Sequence, residues 1–377
     1  MQRDHTGRFP PNDIISLLSV NRRFNLAEST SLDLELGEVM DFVNIESLRA
    51  LKLGYAVNAV SDELRRIVGK ICKVPSDWIV TTHGTSMGLY LTSLELCRPG
   101  DEVVLVTPCF PPTRDALYGL EVNVKESQLS FDRGYEFFAE EISRLLSERT
   151  RLVSIASPMN PSGIRVKREQ VSILLKRMSE IAPQAVLFVD ETFREATYGE
   201  RPADESLAGF SERIITASSC SKALGAPGLR LGWLTLPKRS LRERIQTAKM
   251  NTIISESVVS EALAIGLLKH KEDVLGRKQM MLRSALDSLS LWHDQHSEYV
   301  DWIKPEAGAI CCFRLKDRYT KSAVDDFWAR LPNYELQLAP GNWFGESSRI
   351  FRLGFGYLEP HTFELALGML SKALKDH

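Results

Sequence analysis

The sequence predicts an α/β fold in which a mostly parallel sheet is flanked by helices and is followed by a small α+β domain. Between about residues 78 and 236, short apolar runs alternate with helical patterns, which is typical of parallel strands joined by helices. The fully apolar run 185–189 ends in Asp190, and ligands of open α/β sheets bind at such strand ends. Beyond residue 289 the pattern changes to short strands with few helices, which predicts the small domain.

Composition argues against several classes of function. The chain has 377 residues, of which 44% are hydrophobic and 25% charged, with a net charge of −2, so binding a polyanion such as nucleic acid is not its expected role. No apolar run approaches about 18 residues, and the polar start lacks the core of a signal peptide, so we expect neither a membrane span nor secretion. Six scattered cysteines, without C-x-x-C or H-E-x-x-H, predict reduced thiols in a cytoplasm and no metal site: Cys72, Cys97, Cys109, Cys220, Cys311 and Cys312.

The first 45 residues are weakly patterned. Residues 12–20 predict a short amphipathic helix, and residues 25–36 alternate in part and suggest an extended segment. Residues 61–73 predict a helix because apolar side chains recur at helical spacing, with Ser61 as its N-cap.

A short strand, a glycine-containing loop and a helix follow over residues 78–97. A helix start carries free N–H groups and a positive dipole end, which suit a phosphate. Gly84 lets a ligand approach the backbone, and the hydroxyls of Thr85 and Ser86 add hydrogen bonds. Many strand–turn–helix junctions look similar, so the pattern alone is a weak signal.

Three further strands end in candidate site residues. The strand at residues 101–106 is followed by Phe110, whose ring suits contact with a planar ligand. The strand at 151–156 runs into a turn that contains Asn160, and the strand at 185–189 ends at Asp190. On local grounds each residue has an ordinary alternative, as a core phenylalanine, a turn asparagine or a helix cap.

The most informative stretch is residues 218–233, S-S-C-S-K-A-L-G-A-P-G-L-R-L-G-W. It places Lys222 among small residues in a loop between two apolar strands. A lysine pressed among small side chains is partly desolvated, which favours its neutral, nucleophilic form and suits Schiff-base chemistry. The local alternative is a solvated surface lysine.

The remainder of the chain predicts helices and then the small domain. Residues 238–289 are mostly helical, with a long amphipathic stretch over residues 256–286. We then expect strands at 300–303, 309–315, 334–338 and 350–354, and helices at 323–331 and 362–374. On local grounds alone, Arg352 in the last strand would be an edge-strand surface charge.

Together these motifs resemble the fold-type I pyridoxal-phosphate (PLP) enzymes, the aspartate aminotransferase superfamily. Ser219, Lys222, Arg230 and Gly232 match the lysine motif in order and spacing, and the resemblance extends over about residues 55–356. It implies the PLP-dependent transferase fold and the cofactor PLP. It also implies a homodimer with shared active sites, a large domain over 46–289, and a small domain formed by 1–45 and 290–377.

The resemblance also implies roles for the candidate residues. Lys222 would carry PLP and act as general base on the substrate Cα, while Arg352 would clamp the α-carboxylate of a free L-amino acid. Gly84, Thr85, Ser86, Ser219 and Arg230 would bind the phosphate, and Phe110, Asn160 and Asp190 would hold the ring. Tyr55 would reach the phosphate of the partner subunit.

One departure points to a narrower subgroup. Many aminotransferases have tyrosine three residues after the aspartate, whereas this chain has Phe193. D-E-T-F-R resembles the capreomycidine synthase-like enzymes, which oxidise or cyclise arginine derivatives. In those enzymes an acidic residue in an N-x-A-[DE] stretch faces the guanidinium, and Glu28 matches it.

We therefore expect elimination and ring closure on an arginine-like substrate, with ordinary transamination as the alternative. A non-catalytic protein of the same fold is a hypothesis from another class, and intact Lys222 and Arg352 argue against it. A dinucleotide-dependent oxidoreductase is disfavoured because the glycines after Lys222 do not form G-x-G-x-x-G.

Overall fold

The structure is a computed structural model that describes residues 7–12, 14–15, 20, 22–55 and 59–376. The helices are α1 (Leu36–Met40), α2 (Ile45–Arg49), α3 (Ala59–Cys72), α4 (Gly84–Leu96), α5 (Pro111–Gly119), α6 (Ala139–Ser143), α7 (Arg168–Ile181), α8 (Arg239–Thr252), α9 (Val258–Lys269), α10 (Lys271–His296), α11 (Lys321–Arg330) and α12 (Pro360–Lys375). The strands are β1 (Phe24–Asn25), β2 (Ile79–Thr82), β3 (Glu102–Thr107), β4 (Asn123–Gln128), β5 (Thr150–Ala156), β6 (Val186–Asp190), β7 (Ile214–Ser219), β8 (Gly232–Thr235), β9 (Val300–Ile303), β10 (Ile310–Leu315), β11 (Leu336–Gln337), β12 (Ala339–Pro340) and β13 (Ile350–Gly354).

The largest sheet among the described residues has seven strands in the order β2-β8-β7-β6-β5-β3-β4. Neighbouring strands from β7 to β4 are parallel, and β8 is antiparallel to both of its neighbours. Both faces are buried, because successive residues of β3 belong to different hydrophobic clusters: Val103 and Leu105 to one, Val104 and Val106 to the other. The predicted α/β fold with a mostly parallel sheet is confirmed.

A second, four-stranded antiparallel sheet has the order β12-β13-β10-β9. Its strand β13 is an inner strand, so Arg352 pairs with Cys312 on one side and with Ala339 on the other. Arg352 is therefore a buried residue of an inner strand, and the edge-strand alternative is wrong.

The N-terminal segment joins the C-terminal part of the chain. Strand β1 pairs in parallel with β11, and Phe24 lies in one hydrophobic cluster with residues of α10 to α12. Helix α10 contributes Leu282 and Trp292 to this cluster, on both sides of residue 289. The division of the chain at residues 46 and 289 stays a prediction.

Several local expectations need correction. Ser61 is not an N-cap, because α3 is described from Ala59, and its hydroxyl instead donates to Glu261 Oε2 at 2.6 Å. The helix after the glycine loop begins at Gly84 itself. The amphipathic stretch 256–286 is interrupted at His270, where α9 ends and α10 begins. The expected helix at 12–20 lies mostly outside the described residues.

Candidate active site

One cavity lies at the carboxyl ends of the parallel strands β5, β6 and β7. Nine residues expected to hold the cofactor line it together: Gly84, Thr85, Ser86, Phe110, Asn160, Asp190, Ser219, Lys222 and Arg230. These residues come from the start of helix α4, from strand ends and from loops that the sheet brings to one edge, as expected for this class of sheet.

The first N–H groups of α4 and the guanidinium of Arg230 form a positive end of the cavity. His83 precedes the helix without capping it through its side chain, and the first turn has no acidic residue. Gly84 has φ +72°, a backbone conformation that favours glycine, and a Cβ there would lie 2.7 Å from Arg230 Nη2, so the guanidinium would have to move. A Cβ on Gly232 would lie 2.8 Å from the carbonyl carbon of Gly84. This end therefore suits an anion.

Asp190 lies at the end of β6 and lines the cavity. Its Oδ1 accepts hydrogen bonds from the backbone N–H of Thr192 at 2.9 Å and from the Thr192 hydroxyl. Burial raises the pKa of Asp190, although the bonds from Thr192 and the charge of Lys222 act against this rise. A cationic ring nitrogen at this place would keep the carboxylate ionised.

Thr192 is a site residue that sequence analysis missed. Its hydroxyl lies 2.8 Å from that of Thr85, so it connects Asp190 to the helix that forms the positive end. The sequence contains one signal for this contact, which is the position of Thr192 two residues after Asp190. Short polar side chains at such a spacing form hydrogen bonds with neighbouring residues of the chain.

Arg352 lies next to the cavity and is 1% exposed. Its Nη1 donates to Asn160 Oδ1 at 2.9 Å, its Nη2 donates to the carbonyl of Ala27, and its Cζ lies 4.8 Å from the centre of the Phe344 ring. Its Nε is buried without a hydrogen-bond partner among the described residues. Burial lowers the pKa of Arg352 to about 10, and an anionic ligand would oppose that effect.

The bond from Arg352 also orients Asn160. Because its Oδ1 accepts that bond, its amide nitrogen is left as the donor group toward the cavity that Asn160 lines. A donor at this place suits an anionic oxygen on a bound ring.

Lys222 lies in the loop between β7 and β8, and its side chain is 22% exposed. Its Nζ lies 2.8 Å from Ser29 Oγ and 3.5 Å from Glu28 Oε1. Burial lowers the pKa of Lys222, while Glu28 acts in the opposite direction. A lowered pKa increases the neutral fraction of the amine, which is the form that attacks an aldehyde.

Glu28 is brought to Lys222 from a place 194 residues away in the chain. Burial raises its pKa, but the charges of Lys222 and Arg352 and the N–H of Ser29 outweigh burial and lower it below its ordinary value. Glu28 is therefore an ionised carboxylate between two cations, close to where a substrate would react.

Two aromatic residues from the sequence analysis, Tyr55 and Phe193, lie in contrasting surroundings. Tyr55 is 72% exposed, and its expected contact with a partner subunit stays a prediction. Phe193 is 6% exposed and lines the cavity, so a hydrocarbon ring lies where the sequence departs from the tyrosine pattern.

The residues present fit PLP. The positive end suits its phosphate, Asp190 its ring nitrogen, Asn160 its ring oxygen and the amine of Lys222 its aldehyde. A Cβ on Gly84 would fill the space between the start of α4 and Arg230 Nη2, and we call this space the cradle. Its place beside a helix start and a guanidinium favours a phosphate group at this end. Within the described residues, no cluster of three or more His, Cys, Asp or Glu side chains is arranged to hold a metal ion. None of the helices described is both long and apolar enough to cross a membrane.

Comparison with known proteins gives consistent matches. The family model for aminotransferase class I and II matches residues 52–368. Capreomycidine synthase of Streptomyces vinaceus is 27% identical over 322 residues, which cover 85% of this chain and 80% of that protein. The arginine–pyruvate transaminase of Pseudomonas aeruginosa is 29% identical over 198 residues, covering 52% of this chain and 48% of that protein.

Solved structures show the same fold. A PLP-dependent aminotransferase from Streptococcus suis has a TM-score of 0.87 at 23% identity, covering 97% of this chain and 98% of its own. The PLP-dependent cyclase OrfR has a TM-score of 0.86 at 22% identity and full coverage of both chains.

Proposed function

The chain belongs to the class I and II aminotransferase family of PLP-dependent enzymes, and from that premise we propose that it acts on a free L-amino acid with a guanidinium side chain. The observation that carries the proposal is the position of Glu28, an ionised carboxylate 3.5 Å from the amine of Lys222. A carboxylate recognises a guanidinium through paired, charge-assisted hydrogen bonds. The names of two relatives, capreomycidine synthase and arginine–pyruvate transaminase, are consistent with such a substrate.

The proposed reaction gives separate roles to Arg352, Lys222 and Asp190. Arg352, aligned by Phe344 and Asn160, binds the substrate α-carboxylate, and its unpartnered Nε is available to that anion. Lys222 removes the Cα proton, since its lowered pKa leaves the amine partly neutral. When bound, PLP supplies an electron sink for the resulting carbanion, and Asp190 keeps its ring nitrogen protonated.

For the subsequent step we propose elimination and ring closure. A hydroxyl on the substrate side chain leaves as water, and a guanidine nitrogen then adds to the unsaturated chain to give a cyclic guanidino amino acid. Phe193 supports this branch, because it offers no hydroxyl where many aminotransferases carry a tyrosine. Ordinary transamination is the second candidate, and the family's many aminotransferases favour it.

One incubation separates the two branches. The enzyme is mixed with PLP and hydroxyarginines, once without any 2-oxo acid and once with pyruvate, and the products are identified by mass spectrometry. A product that has lost water and closed a ring without pyruvate supports elimination. Turnover that requires pyruvate, with loss of the amino group, contradicts elimination and supports transamination.

A matched variant tests the role of Glu28. Glu28→Gln keeps the side-chain shape but removes the charge, so kcat/KM for a guanidino substrate should fall roughly 10- to 100-fold. L-Norleucine, which lacks the guanidinium, serves as the comparison substrate. An equal loss with both substrates would contradict recognition of the guanidinium by Glu28.

We further propose a homodimer in which Tyr55 completes the phosphate site of the partner subunit. An exposure of 72% in the single chain is what a residue with a partner-facing role would have. Sedimentation of the protein, together with the PLP affinity of Tyr55→Phe, tests both parts. A protein that sediments as a monomer would contradict the homodimer, and a Tyr55→Phe variant that binds PLP as tightly as wild type would contradict the role of Tyr55.

A further inference from the structure

An N-terminal strap, residues 26–34, crosses the loop that carries Lys222. The backbone N–H of Ser31 donates to the Lys222 carbonyl at 3.3 Å, and that of Leu34 donates to the Gly225 carbonyl at 2.7 Å. At the other end Leu26 is held by Gln337 at 2.9 Å and by Gly354 at 2.7 Å. Lys278 also donates to the carbonyl of Leu32. The strap is therefore fixed at both ends relative to the amine of Lys222.

Within the strap, Ser29 lies between Glu28 and Lys222. It is 4% exposed, and its Oγ is 2.8 Å from Lys222 Nζ and 3.4 Å from Glu28 Oε1. The direct distance from Nζ to Oε1 is 3.5 Å, beyond the usual range of a strong hydrogen bond. The backbone N–H of Ser29 donates to the same Oε1 at 2.7 Å, which fixes the carboxylate beside the hydroxyl.

The next two hydroxyls of the strap provide a contrast. Thr30 and Ser31 are as buried as Ser29, but their side-chain oxygens have no hydrogen-bond partner in the described part of the chain. Burial in the strap therefore does not explain why the Ser29 hydroxyl bonds the amine. Its place between an amine and a carboxylate distinguishes it.

We propose that Ser29 is a positioning residue for Lys222. Its hydroxyl accepts a hydrogen bond from Lys222 Nζ and holds the amine beside the cavity, while Glu28 stays an ionised carboxylate. The inference rests on the proposed function, in which Lys222 removes the Cα proton.

The positioning role has a physical reason in the burial of the amine. The bond to Ser29 Oγ, at 2.8 Å, is the shorter of the two contacts described for Lys222 Nζ, since Glu28 Oε1 lies at 3.5 Å. An acceptor for the largely desolvated amine favours its protonated form and holds Nζ in one place, as a base acting on Cα requires.

Two variants in one strap test the proposal: Ser29→Ala, and Ser31→Ala as its matched control. The first readout uses the PLP-free protein and follows the rate at which Lys222 captures PLP between pH 6 and 10. Loss of the Ser29 acceptor removes a hydrogen bond to the charged amine, so the pH midpoint should fall by roughly 0.5 to 1 unit. Ser31→Ala should keep the wild-type midpoint.

The second readout is the exchange of the Cα proton of L-arginine with D₂O on the PLP-loaded enzyme. We expect Ser29→Ala to exchange roughly 10-fold more slowly than wild type, which is less than a full acid–base contribution because Lys222 itself remains. Ser29→Thr, which restores a hydroxyl, should recover part of the loss. Thermal unfolding of all variants checks that they fold alike.

The outcomes are distinguishable. If Ser29→Ala behaves like Ser31→Ala in both readouts while wild type exchanges the Cα proton, the positioning role of Ser29 is overturned and the proposed function stands. If wild type exchanges no Cα proton of any amino acid tested, the proposed function fails. The pH midpoint of PLP capture then still decides whether Ser29 bonds the amine.

Discussion

The amino ends of the parallel strands form one edge of the large sheet, the amino edge, and their carboxyl ends form the other, the carboxyl edge. Buried carboxylates at these two edges differ in how many hydrogen-bond partners the chain gives them. At the amino edge, Glu102 begins β3 with its side chain 1% exposed, and it is bonded by Lys125 at 2.7 Å and by Ser147 and Arg149 at 2.5 Å. At the carboxyl edge, the only hydrogen bonds described for the Asp190 carboxylate come from Thr192. A buried charge that the chain itself neutralises stabilises the fold, whereas one that has few partners and lines a cavity marks a candidate ligand site.

This contrast predicts a division between stability and function. Changes at the carboxyl edge should alter cofactor binding and turnover with little effect on the unfolding of the PLP-free protein. Changes at the amino edge should do the reverse. Each of the following experiments can contradict this division between stability and function.

The largest effect is expected for Lys222→Ala. Loss of both the covalent anchor and the Cα base should reduce turnover by roughly 10⁴-fold, at the upper end of acid–base contributions. Because burial lowers the pKa of Lys222, its removal relieves a cost, so the PLP-free protein should unfold at the wild-type temperature or above it. Turnover near the wild-type rate would refute the site, and a large loss of stability would refute the division between edges.

A smaller loss is expected for Arg352→Lys. A lysine keeps the positive charge but cannot hold Asn160 and a carboxylate in one planar arrangement, so kcat/KM should fall roughly 100-fold, or about 2.7 kcal/mol. Arg349→Lys is the matched control, since Arg349 bonds the backbone carbonyls of residues 315, 316 and 319 outside the cavity. Equal losses of kcat/KM in both variants would contradict a substrate role for Arg352.

The sequence predicted the parts of the site that rest on local pattern. The strands at 300–303 and 350–354 have the expected bounds, and the nine cavity residues follow strands that hydrophobic patterning identifies. The end of α9 at His270 was missed because no glycine or proline marks it. The contact of Ser29 with Lys222 was also missed, because it joins residues 193 positions apart and follows from tertiary packing alone.

At the amino edge, pH tests the other half of the contrast. Hydrogen bonds from Lys125, Ser147 and Arg149 lower the pKa of Glu102 to about 2, from an ordinary value of 4.5. A lowered pKa gives stability that is complete above about pH 4.5 and is lost as pH falls toward about 2. Glu102→Gln should therefore cost roughly 2 kcal/mol at pH 7, and the difference from wild type should shrink in acid.

Urea unfolding of the PLP-free proteins between pH 3 and 7 measures this difference. Lys125 and Arg149 are partly exposed, so water screens them and keeps the loss moderate. The kcat/KM of the loaded variant at pH 7 should equal that of wild type. A difference in stability that stays constant with pH, or a loss of turnover, would count against the assignment of Glu102 to stability alone.

The smallest effect is expected for Gly84→Ala, which returns the test to the carboxyl edge. Gly84 has φ +72°, and an added Cβ would meet Arg230 Nη2 at 2.7 Å, so the guanidinium must move away from the anion end. We expect the dissociation constant of PLP to rise roughly 10-fold, about 1.4 kcal/mol. Gly100→Ala is the control, because Gly100 has φ +91° but no neighbour within 4 Å of an added Cβ. Both variants carry backbone strain, but only Gly84→Ala displaces Arg230, so equal PLP affinities in the two would show that the cradle does not bind phosphate.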